Sequence, residues 1–235
     1  MRLRTRVFLQ LATLCFLAAY GFAADDAYLY IVHGIPGRDV AASANPGFPV
    51  DVLISGVCQT RGLAFGTIDG PLTFAPGTYE VQLSPANTLA PCTNPTIIDS
   101  QVTLAAGASV SAVASISTGQ PAFLDFTDNL LPVPAGNARF VLAHAADAGE
   151  LLATLTPVGV KNPKPFTLTV DAGKEGTINV PAGIYLVEVS VAGSTTASAS
   201  ETISLANQSA AFSYAAGEAA NNSLGLVNKT VPLVF

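Results

Sequence analysis

One sequence pattern occurs twice in the chain, in the same order. It consists of a strand-like segment that ends in histidine, a Pro/Gly turn followed by tyrosine, and a later apolar segment. The first set lies at 30–33, 75–83 and 102–110, and the second at 141–144, 180–189 and 203–209. Equivalent positions are about one hundred residues apart, which is a single-domain length and too long for a solenoid repeat. The duplication therefore predicts two tandem domains.

The periodicity within each copy is that of β-strands. Turn residues recur about every eight to twelve positions, between runs that alternate apolar with polar residues. Four clear runs lie at 50–54, 78–83, 107–117 and 185–191, although Val113 interrupts the polar face of the third. Any helix should be short, because Pro and Gly interrupt the remaining candidates. We predict an all-β protein with two tandem immunoglobulin-like antiparallel β-sandwich domains.

The two copies are separated by a segment with two prolines and no alternation. This composition predicts a short, fairly stiff linker at residues 130–137. The first β-sandwich domain is then expected at residues 25–129 and the second at 138–235.

The N-terminus has the composition of a secretory signal peptide. Three arginines precede an apolar run at residues 7–20, and Gly21-Phe-Ala23 forms a small-x-small cleavage site. We predict a signal peptide at residues 1–23 with cleavage after Ala23, and no membrane-spanning segment in the mature chain. A lipoprotein signal at Cys15 is disfavoured because Leu14 precedes it. The mature protein is expected to be secreted, periplasmic or at the cell surface.

Charge argues against a nucleic-acid partner. The formal net charge of the chain is −6, and loss of the three leader arginines takes it to about −9. Residues 25–137 contain nine acidic residues and only two basic ones, Arg38 and Arg61. A surface of this sign repels a phosphate backbone, so nucleic-acid binding is not expected.

Cys58 and Cys92 remain after removal of the leader, and both lie in the first copy. An even pair in an oxidising compartment predicts a disulfide. The alternatives are a catalytic thiol, a metal ligand or two unbonded buried thiols. The spacing of the two residues contains no Cys-x-x-Cys motif that would favour metal or redox chemistry.

The motifs of the chain resemble a known bacterial family, catalogued as domain of unknown function 4397. In the first copy they are YIVHGIPG at 30–37, PVDVLISG at 49–56, FGTIDGPL at 65–72 and APGTY at 75–79. The second copy keeps FVLAHAAD at 140–147, PAGIY at 181–185, AFSYAAG at 211–217 and LGLV at 224–227, but no clear Val-Asp-Val strand. The resemblance implies secreted or envelope-associated proteins with paired β-sandwich domains, and it implies no activity.

The two histidines, His33 and His144, occupy matching positions, and repetition favours a structural role in which each imidazole bonds a nearby loop backbone. The alternative is a metal site, with Asp39 or Asp51 beside His33 and Asp147 beside His144. One histidine and one carboxylate do not define such a site.

Sequence motifs supply no reactive constellation. The chain contains no Gly-x-Ser-x-Gly elbow, HExxH, Walker loop or GxGxxG. We therefore expect no catalytic residues, cofactor or metal site, although a pair of glycosidase carboxylates or a calcium site built from loop acids of the first copy needs no motif.

The functional hypothesis is a non-catalytic secreted or cell-envelope protein whose loops or strand edges bind a protein or glycan partner, or which has a structural role. The alternative is a polysaccharide-active enzyme or carbohydrate-binding accessory protein, and a third possibility is a self-associating surface layer. The first copy alone carries the cysteine pair and most of the negative charge, so its loops are the expected location of a specific function.

Overall fold

A computed structural model describes residues 25–41 and 45–233 of the chain. Within these residues it contains sixteen strands and one four-residue helix, α1 (Gly37–Val40). The strands of the first half are β1 (Ala27–His33), β2 (Val50–Ile54), β3 (Val57–Leu63), β4 (Ile68–Phe74), β5 (Gly77–Pro85), β6 (Ile98–Leu104), β7 (Ser109–Ser117) and β8 (Gln120–Thr127). Those of the second half are β9 (Asn137–His144), β10 (Leu151–Pro157), β11 (Phe166–Val170), β12 (Glu175–Pro181), β13 (Gly183–Val191), β14 (Ala199–Leu205), β15 (Ser209–Ala216) and β16 (Gly225–Pro232).

The two halves have the same topology. The first consists of sheets β4-β1-β7-β8 and β3-β2-β5-β6, and the second of sheets β12-β9-β15-β16 and β11-β10-β13-β14. Each strand of the second half thus lies at the position of the strand eight places earlier. The predicted all-β fold with two sandwiches is confirmed, and the sequence duplication is a duplication of structure.

One strand pair in each sandwich departs from the antiparallel prediction. β1 runs parallel to β7, and β9 runs parallel to β15. A parallel pair needs a long connection, and here the intervening strands, most of which belong to the opposite sheet, provide it. Apolar alternation reports which face of a strand is buried and carries no information on the direction of its neighbour, so the sequence pattern did not reveal this pair.

Each sandwich encloses its own apolar core. In the first, alternate residues of β1, β2 and β5, such as Leu29, Val52 and Leu83, point between the two sheets and are fully buried. In the second, Phe140 and Val187 have the same role. The repeated tyrosines fasten the turns that precede β5 and β13, because Tyr79 Oη donates to Ala75 O (2.7 Å) and Tyr185 Oη donates to Pro181 O (2.8 Å).

A third apolar cluster joins the sandwiches. It contains Val32, Val113 and Phe126 from the first half, together with Phe212 and Tyr214 from the second. Strand β7 is buried on both of its faces, and so is β15. Val113, which interrupts the polar face in the sequence, faces this interdomain cluster. The sheets that contain β1 and β9 therefore stack face to face in the middle of four layers.

Polar contacts and close packing add to this interdomain seam. Arg38 Nη2 donates to Asn222 O (2.8 Å), and the amide of Gly119 donates to Asp147 Oδ2 (3.1 Å). Gly34 approaches the second sandwich so closely that a Cβ at this position would lie 2.5 Å from the Cβ of Ala216. Only glycine fits there without displacing the backbone.

The segment between β8 and β9 is held by a buried side chain. Arg139 Nη1 donates to the carbonyls of Asn129 (2.7 Å) and Leu131 (2.8 Å). The predicted signal peptide, its cleavage site after Ala23 and Cys15 lie outside the described residues. Among the helices of the described part, none is both long and apolar enough to cross a membrane.

Candidate functional site

The most unusual side chain of the first sandwich is Asp51 in the middle of β2. Its neighbours Val50 and Val52 point into the core, so strand alternation directs Asp51 to the outer face of the sheet. It is nevertheless only 1% exposed. The connection between β5 and β6, residues 86–97, folds back over this face and covers the carboxylate. We call this segment the 86–97 loop.

Both carboxylate oxygens of Asp51 accept backbone hydrogen bonds. Oδ1 accepts from the amide of Gly62 (2.9 Å), and Oδ2 accepts from the amides of Asn87 (3.1 Å) and Cys92 (2.8 Å). Burial alone would raise the pKa of Asp51, but these three donors and the nearby Arg61 charge outweigh it and place the pKa below its usual range. The carboxylate is therefore ionised at neutral pH and fixes both ends of the turn.

The 86–97 loop is also closed by its own side chains. Asn87 Oδ1 accepts from the amides of Leu89 (3.1 Å) and Ala90 (3.1 Å), and Asn94 Nδ2 donates to Pro85 O (2.9 Å). Asn side chains commonly close turns in this way. These contacts bond the loop to itself and to the end of β5.

The predicted disulfide is present between Cys58 of β3 and Cys92 of the 86–97 loop. It bonds the loop covalently to the edge strand of the sheet that the loop covers. The thiols are consequently not available as metal ligands or nucleophiles. The disulfide fixes the position of the turn that contains Leu89 relative to β3.

Leu89 lies at the tip of this turn and is 96% exposed. Beside it is a pocket of about 320 Å³ whose lining includes Asp51, Arg61, Asn87 and Thr88. The exposed aliphatic side chain and the adjacent pocket, which has both polar and apolar groups in its lining, form a surface that can take a side chain or a small polar group from a partner.

The second sandwich has no equivalent of this site. Asp51 pairs with Ser84, and the residue that pairs with the corresponding Ser190 is Leu152. The connection from β13 to β14 is shorter, at residues 192–198, and contains no cysteine. β10 is therefore the counterpart of the Val-Asp-Val strand, with an apolar sequence that concealed the relationship. A separate apolar pocket of about 270 Å³ lies at residues 157–166 and 181–185.

The two histidines have the structural role that the sequence predicts. His33 Nε2 donates to Phe48 O (2.7 Å), and His144 Nε2 donates to Gly149 O (2.8 Å), a tautomer assigned from these contacts. Both rings are fully buried. Burial lowers the pKa of both residues, against a smaller opposite effect of these hydrogen bonds. Each imidazole is neutral, and its hydrogen bond holds the loop that follows the first strand of its sandwich.

The carboxylates proposed as partners of these histidines bind elsewhere. Asp51 accepts the backbone donors described above, Asp39 Oδ2 accepts from Ser223 Oγ (2.5 Å), and Asp147 accepts from Gly119. Within residues 25–41 and 45–233, no three His, Cys, Asp or Glu side chains converge as a metal site would require. In the described residues, each carboxylate considered as a possible metal ligand is thus bonded to other groups and not to a histidine.

Sequence reasoning missed the residues that organise the 86–97 loop. Asp51 entered only as a metal candidate, and Asn87 and Leu89 were not identified. The available signal was the predicted disulfide. It bonds Cys92, which lies in an Asn- and Pro-rich segment, to Cys58, which follows the strand that contains Asp51. The 86–97 loop belongs to the first copy, whose loops are the predicted location of a specific function.

Three solved structures resemble the chain at low identity. A candidate cell adhesion protein from Bacteroides ovatus ATCC 8483 is 11% identical, with 91% of this chain and 99% of that chain covered and a TM-score of 0.29. A candidate cell adhesion protein from Bacteroides uniformis ATCC 8492 is 11% identical, with coverages of 92% and 99% and a TM-score of 0.32. A candidate adhesin from Bacteroides ovatus is 12% identical, with coverages of 77% and 79% and a TM-score of 0.23. TM-scores of this size carry no functional argument.

No curated protein matches the sequence. One family model does, over residues 27–154, which comprise the first sandwich, β9 and the first half of β10. This range includes the 86–97 loop, Asp51 and the cysteine pair, and it is more than half of the chain. The chain therefore belongs to the family described as Domain of unknown function (DUF4397).

Proposed function

We propose that this protein is a non-catalytic exported protein that binds a partner at the cell envelope through the 86–97 loop. The observation that carries the proposal is the nearly complete exposure of Leu89 on a loop with a fixed backbone. Two backbone contacts to Asp51, from the amides of Asn87 and Cys92, and the disulfide at Cys92 hold that loop.

The physical argument is preorganisation. Binding orders flexible segments at a cost in free energy, and a loop that is already fixed avoids much of that cost. Interfaces usually derive most of their affinity from a few anchor side chains surrounded by weaker contacts. Leu89 fits the role of an apolar anchor, and the adjacent pocket, with Arg61 and Thr88 in its lining, supplies hydrogen-bonding groups for orientation.

The disulfide supports a location outside the cytoplasm, because such bonds persist in oxidising compartments and are rare in reducing ones. The N-terminal arginines and apolar run, interpreted as a signal peptide, agree with export. A partner in the cell envelope or on its outer surface follows from these two features.

A protein partner is favoured over a polysaccharide. Carbohydrate-binding sandwiches stack sugar rings on exposed aromatic side chains. Among the large apolar side chains that are exposed in the described residues, Tyr28 is the one aromatic residue, and it lies in β1, away from the 86–97 loop. Polysaccharide binding that is lost in Tyr28→Ala and retained in Leu89→Asp would support the carbohydrate alternative.

The proposal is tested by binding of the purified mature chain to isolated envelopes of its source organism. Leu89→Asp should reduce the apparent affinity at least ~10-fold, the effect of removing an interface anchor. The matched control is Leu131→Asp. Leu131 is also exposed (69%), but it lies in the segment that connects β8 to β9 and not in the 86–97 loop. Equal binding by wild type and Leu89→Asp, with both proteins folded by circular dichroism, would exclude the 86–97 loop as the binding site.

A further inference from the structure

One ionic contact crosses the seam between the sandwiches. Asp128 directly follows β8 of the first, and Lys229 lies in β16 of the second. Their side chains are 1% and 6% exposed, and Lys229 Nζ is 2.7 Å from Asp128 Oδ2. Among the described residues this is the single salt bridge, and it joins two side chains separated by about one hundred positions in sequence.

Hydroxyl groups surround the carboxylate of Asp128. Ser109 Oγ donates to Oδ2 (2.6 Å), and Ser111 Oγ donates to Oδ1 (2.9 Å). Ser111 Oγ also accepts from Lys229 Nζ (2.7 Å) and from Tyr214 Oη (2.7 Å). The Ser111 hydroxyl therefore contacts both Lys229 Nζ and Asp128 Oδ1, the carboxylate oxygen that is not bonded to the amine.

Aromatic rings cover the amine. Lys229 Nζ is 3.4 Å from the centroid of the Tyr30 ring and 4.9 Å from that of the Phe212 ring. Burial lowers the pKa of Lys229 to about 8, although the neighbouring Asp128 opposes this shift. A neutral amine is thus accessible near physiological pH, and an amine in that form is a nucleophile.

Two buried charges are a poor source of stability. Removing an ammonium and a carboxylate from water is unfavourable, and their mutual attraction often does not compensate for the lost hydration. Transfer of one proton from Lys229 to Asp128 would remove both charges and leave an amine in contact with a carboxylic acid. These are the reactants of amide formation, held together without competing bulk water.

We propose that Lys229 and Asp128 condense to form an isopeptide bond that covalently joins the two sandwiches. Nothing in the proposed recognition role requires this bond, so the two proposals are independent. The chain would then carry two covalent cross-links, namely the disulfide in the first sandwich and the amide across the seam.

The reaction needs no oxidant, reductant or other reactant. The first proton passes from Nζ through Ser111 Oγ to Oδ1, so the carboxylic acid carries its proton on Oδ1. The Nζ lone pair of the neutral amine then attacks Cγ, a C–N bond forms, and the electron pair of the Cγ–Oδ2 double bond moves to Oδ2. The proton that Nζ must lose passes through the Ser111 hydroxyl to Oδ1. The Cγ–Oδ1 bond then breaks and Oδ1 leaves as water, while Oδ2 becomes the amide oxygen. Ser109 Oγ donates to Oδ2 and stabilises the negative charge that develops on it.

Intact-mass spectrometry of the purified mature chain tests the proposal, after reduction and alkylation of the disulfide and full denaturation. The expected mass is lower than that of the linear sequence by one water, about 18 Da. Proteolysis should also yield a branched peptide that contains both Asp128 and Lys229. The variant Lys229→Arg keeps the cation but has no amine to condense, so it should have its full linear mass.

The matched control is Lys174→Arg, since Lys174 is exposed and lies outside the contact. This variant should show the same loss of water as the wild type. A wild-type chain that has its full linear mass after prolonged incubation in the folded state, with Lys229 acetylated by an amine reagent after unfolding, would overturn the proposal. The contact would then be an ion pair alone, and that result would leave binding through Leu89 unaffected.

Discussion

Asp51 and Leu152 occupy equivalent positions in the two sandwiches but have opposite chemistry. Each pairs with a serine of the next strand. The carboxylate is needed only in the first sandwich, where the 86–97 loop brings two backbone amides to it and β3 supplies a third from Gly62. At the scale of single residues, the two copies therefore differ in the feature that organises the candidate site.

Asp51→Asn should destabilise the first sandwich by ~2–3 kcal/mol. The amide has one oxygen where the carboxylate has two, so its NH2 group must face one of the backbone donors, and the charge that strengthens the other bonds is lost. The midpoint of urea unfolding measures the effect. The control is Asp99→Asn on an exposed face of β6, which should change stability by less than ~1 kcal/mol. Equal effects of the two substitutions would show that Asp51 does not hold the 86–97 loop.

The buried histidines predict a loss of stability in acid. Their pKa values in the folded state lie below the unfolded value of about 6.5, so the unfolded chain binds more protons as the pH falls through that value. Stability is complete above about pH 6.5 and decreases below it, by up to ~1.4 kcal/mol per pH unit for each histidine. Urea unfolding at pH 7.5 and pH 5.5 measures this decrease.

The variant His144→Asn, which keeps a donor for Gly149 O, isolates one of the two contributions. Its stability should decrease about half as steeply with pH as that of the wild type. The comparison also separates the histidine from Glu218, whose pKa is raised by burial and by the nearby Asp39 and Asp147 and whose titration has the opposite effect on stability. Identical pH profiles for variant and wild type would contradict the lowered pKa of His144 in the folded state.

Residue types that repeat or pair were predictable from the sequence. The cysteine pair followed from its even number and compartment, and the histidines from their matching positions. The environment of Asp51 was not predictable, because its donors come from Gly62, Asn87 and Cys92, up to 41 positions away. Strand alternation places Asp51 on the solvent side, and only tertiary structure reveals that a loop covers it.

At the scale of elements, alternation located the strands, and the cysteine pair and the charge distinguished the first copy from the second. The runs at 50–54, 78–83, 107–117 and 185–191 correspond to β2, β5, β7 and β13. The parallel pairs and the folding of the 86–97 loop over its sheet were not predictable, since both depend on which strands meet. The element that distinguishes the copies is this loop, because it is longer than its counterpart at 192–198 and contains Cys92.

Removing the disulfide tests how much of the loop's order it supplies. The double variant Cys58→Ala/Cys92→Ala should lower the free energy of unfolding by about 3–4 kcal/mol, the chain-entropy value for residues 34 apart. The far-UV circular dichroism spectrum should be unchanged, since the strands do not depend on the bond. Hydrogen exchange of the Leu89 and Ala90 amides should become faster. Unchanged stability would show that the loop is held by Asp51 and Asn87 alone.

At the scale of the whole molecule, the duplication predicted two domains but not how they associate. The same face of each sandwich contributes to the seam, as in an isologous dimer whose two subunits are joined in one chain. Val113 was the one visible sign in the sequence, an apolar residue on a face expected to be polar. A continuous apolar cluster between the halves implies that they unfold together.

We expect a single cooperative thermal transition for the wild type, with equal calorimetric and van't Hoff enthalpies. Val113→Asp places a charge in the apolar seam without entering either sandwich core, and it should separate this transition into two. The control is Val57→Asp, because Val57 is 61% exposed and the same substitution there should leave one transition. Two transitions in the wild type would show that the seam does not couple the sandwiches.

The recognition role of the 86–97 loop is tested most directly by a photo-activated crosslinking amino acid at position 89, in the full chain expressed in its native envelope. The account predicts one dominant crosslinked partner, absent when the same probe replaces the exposed Leu131. It further predicts that excess wild-type protein competes with the crosslink. No adduct at position 89, or the same adducts at both positions, would contradict the assignment of binding to this loop.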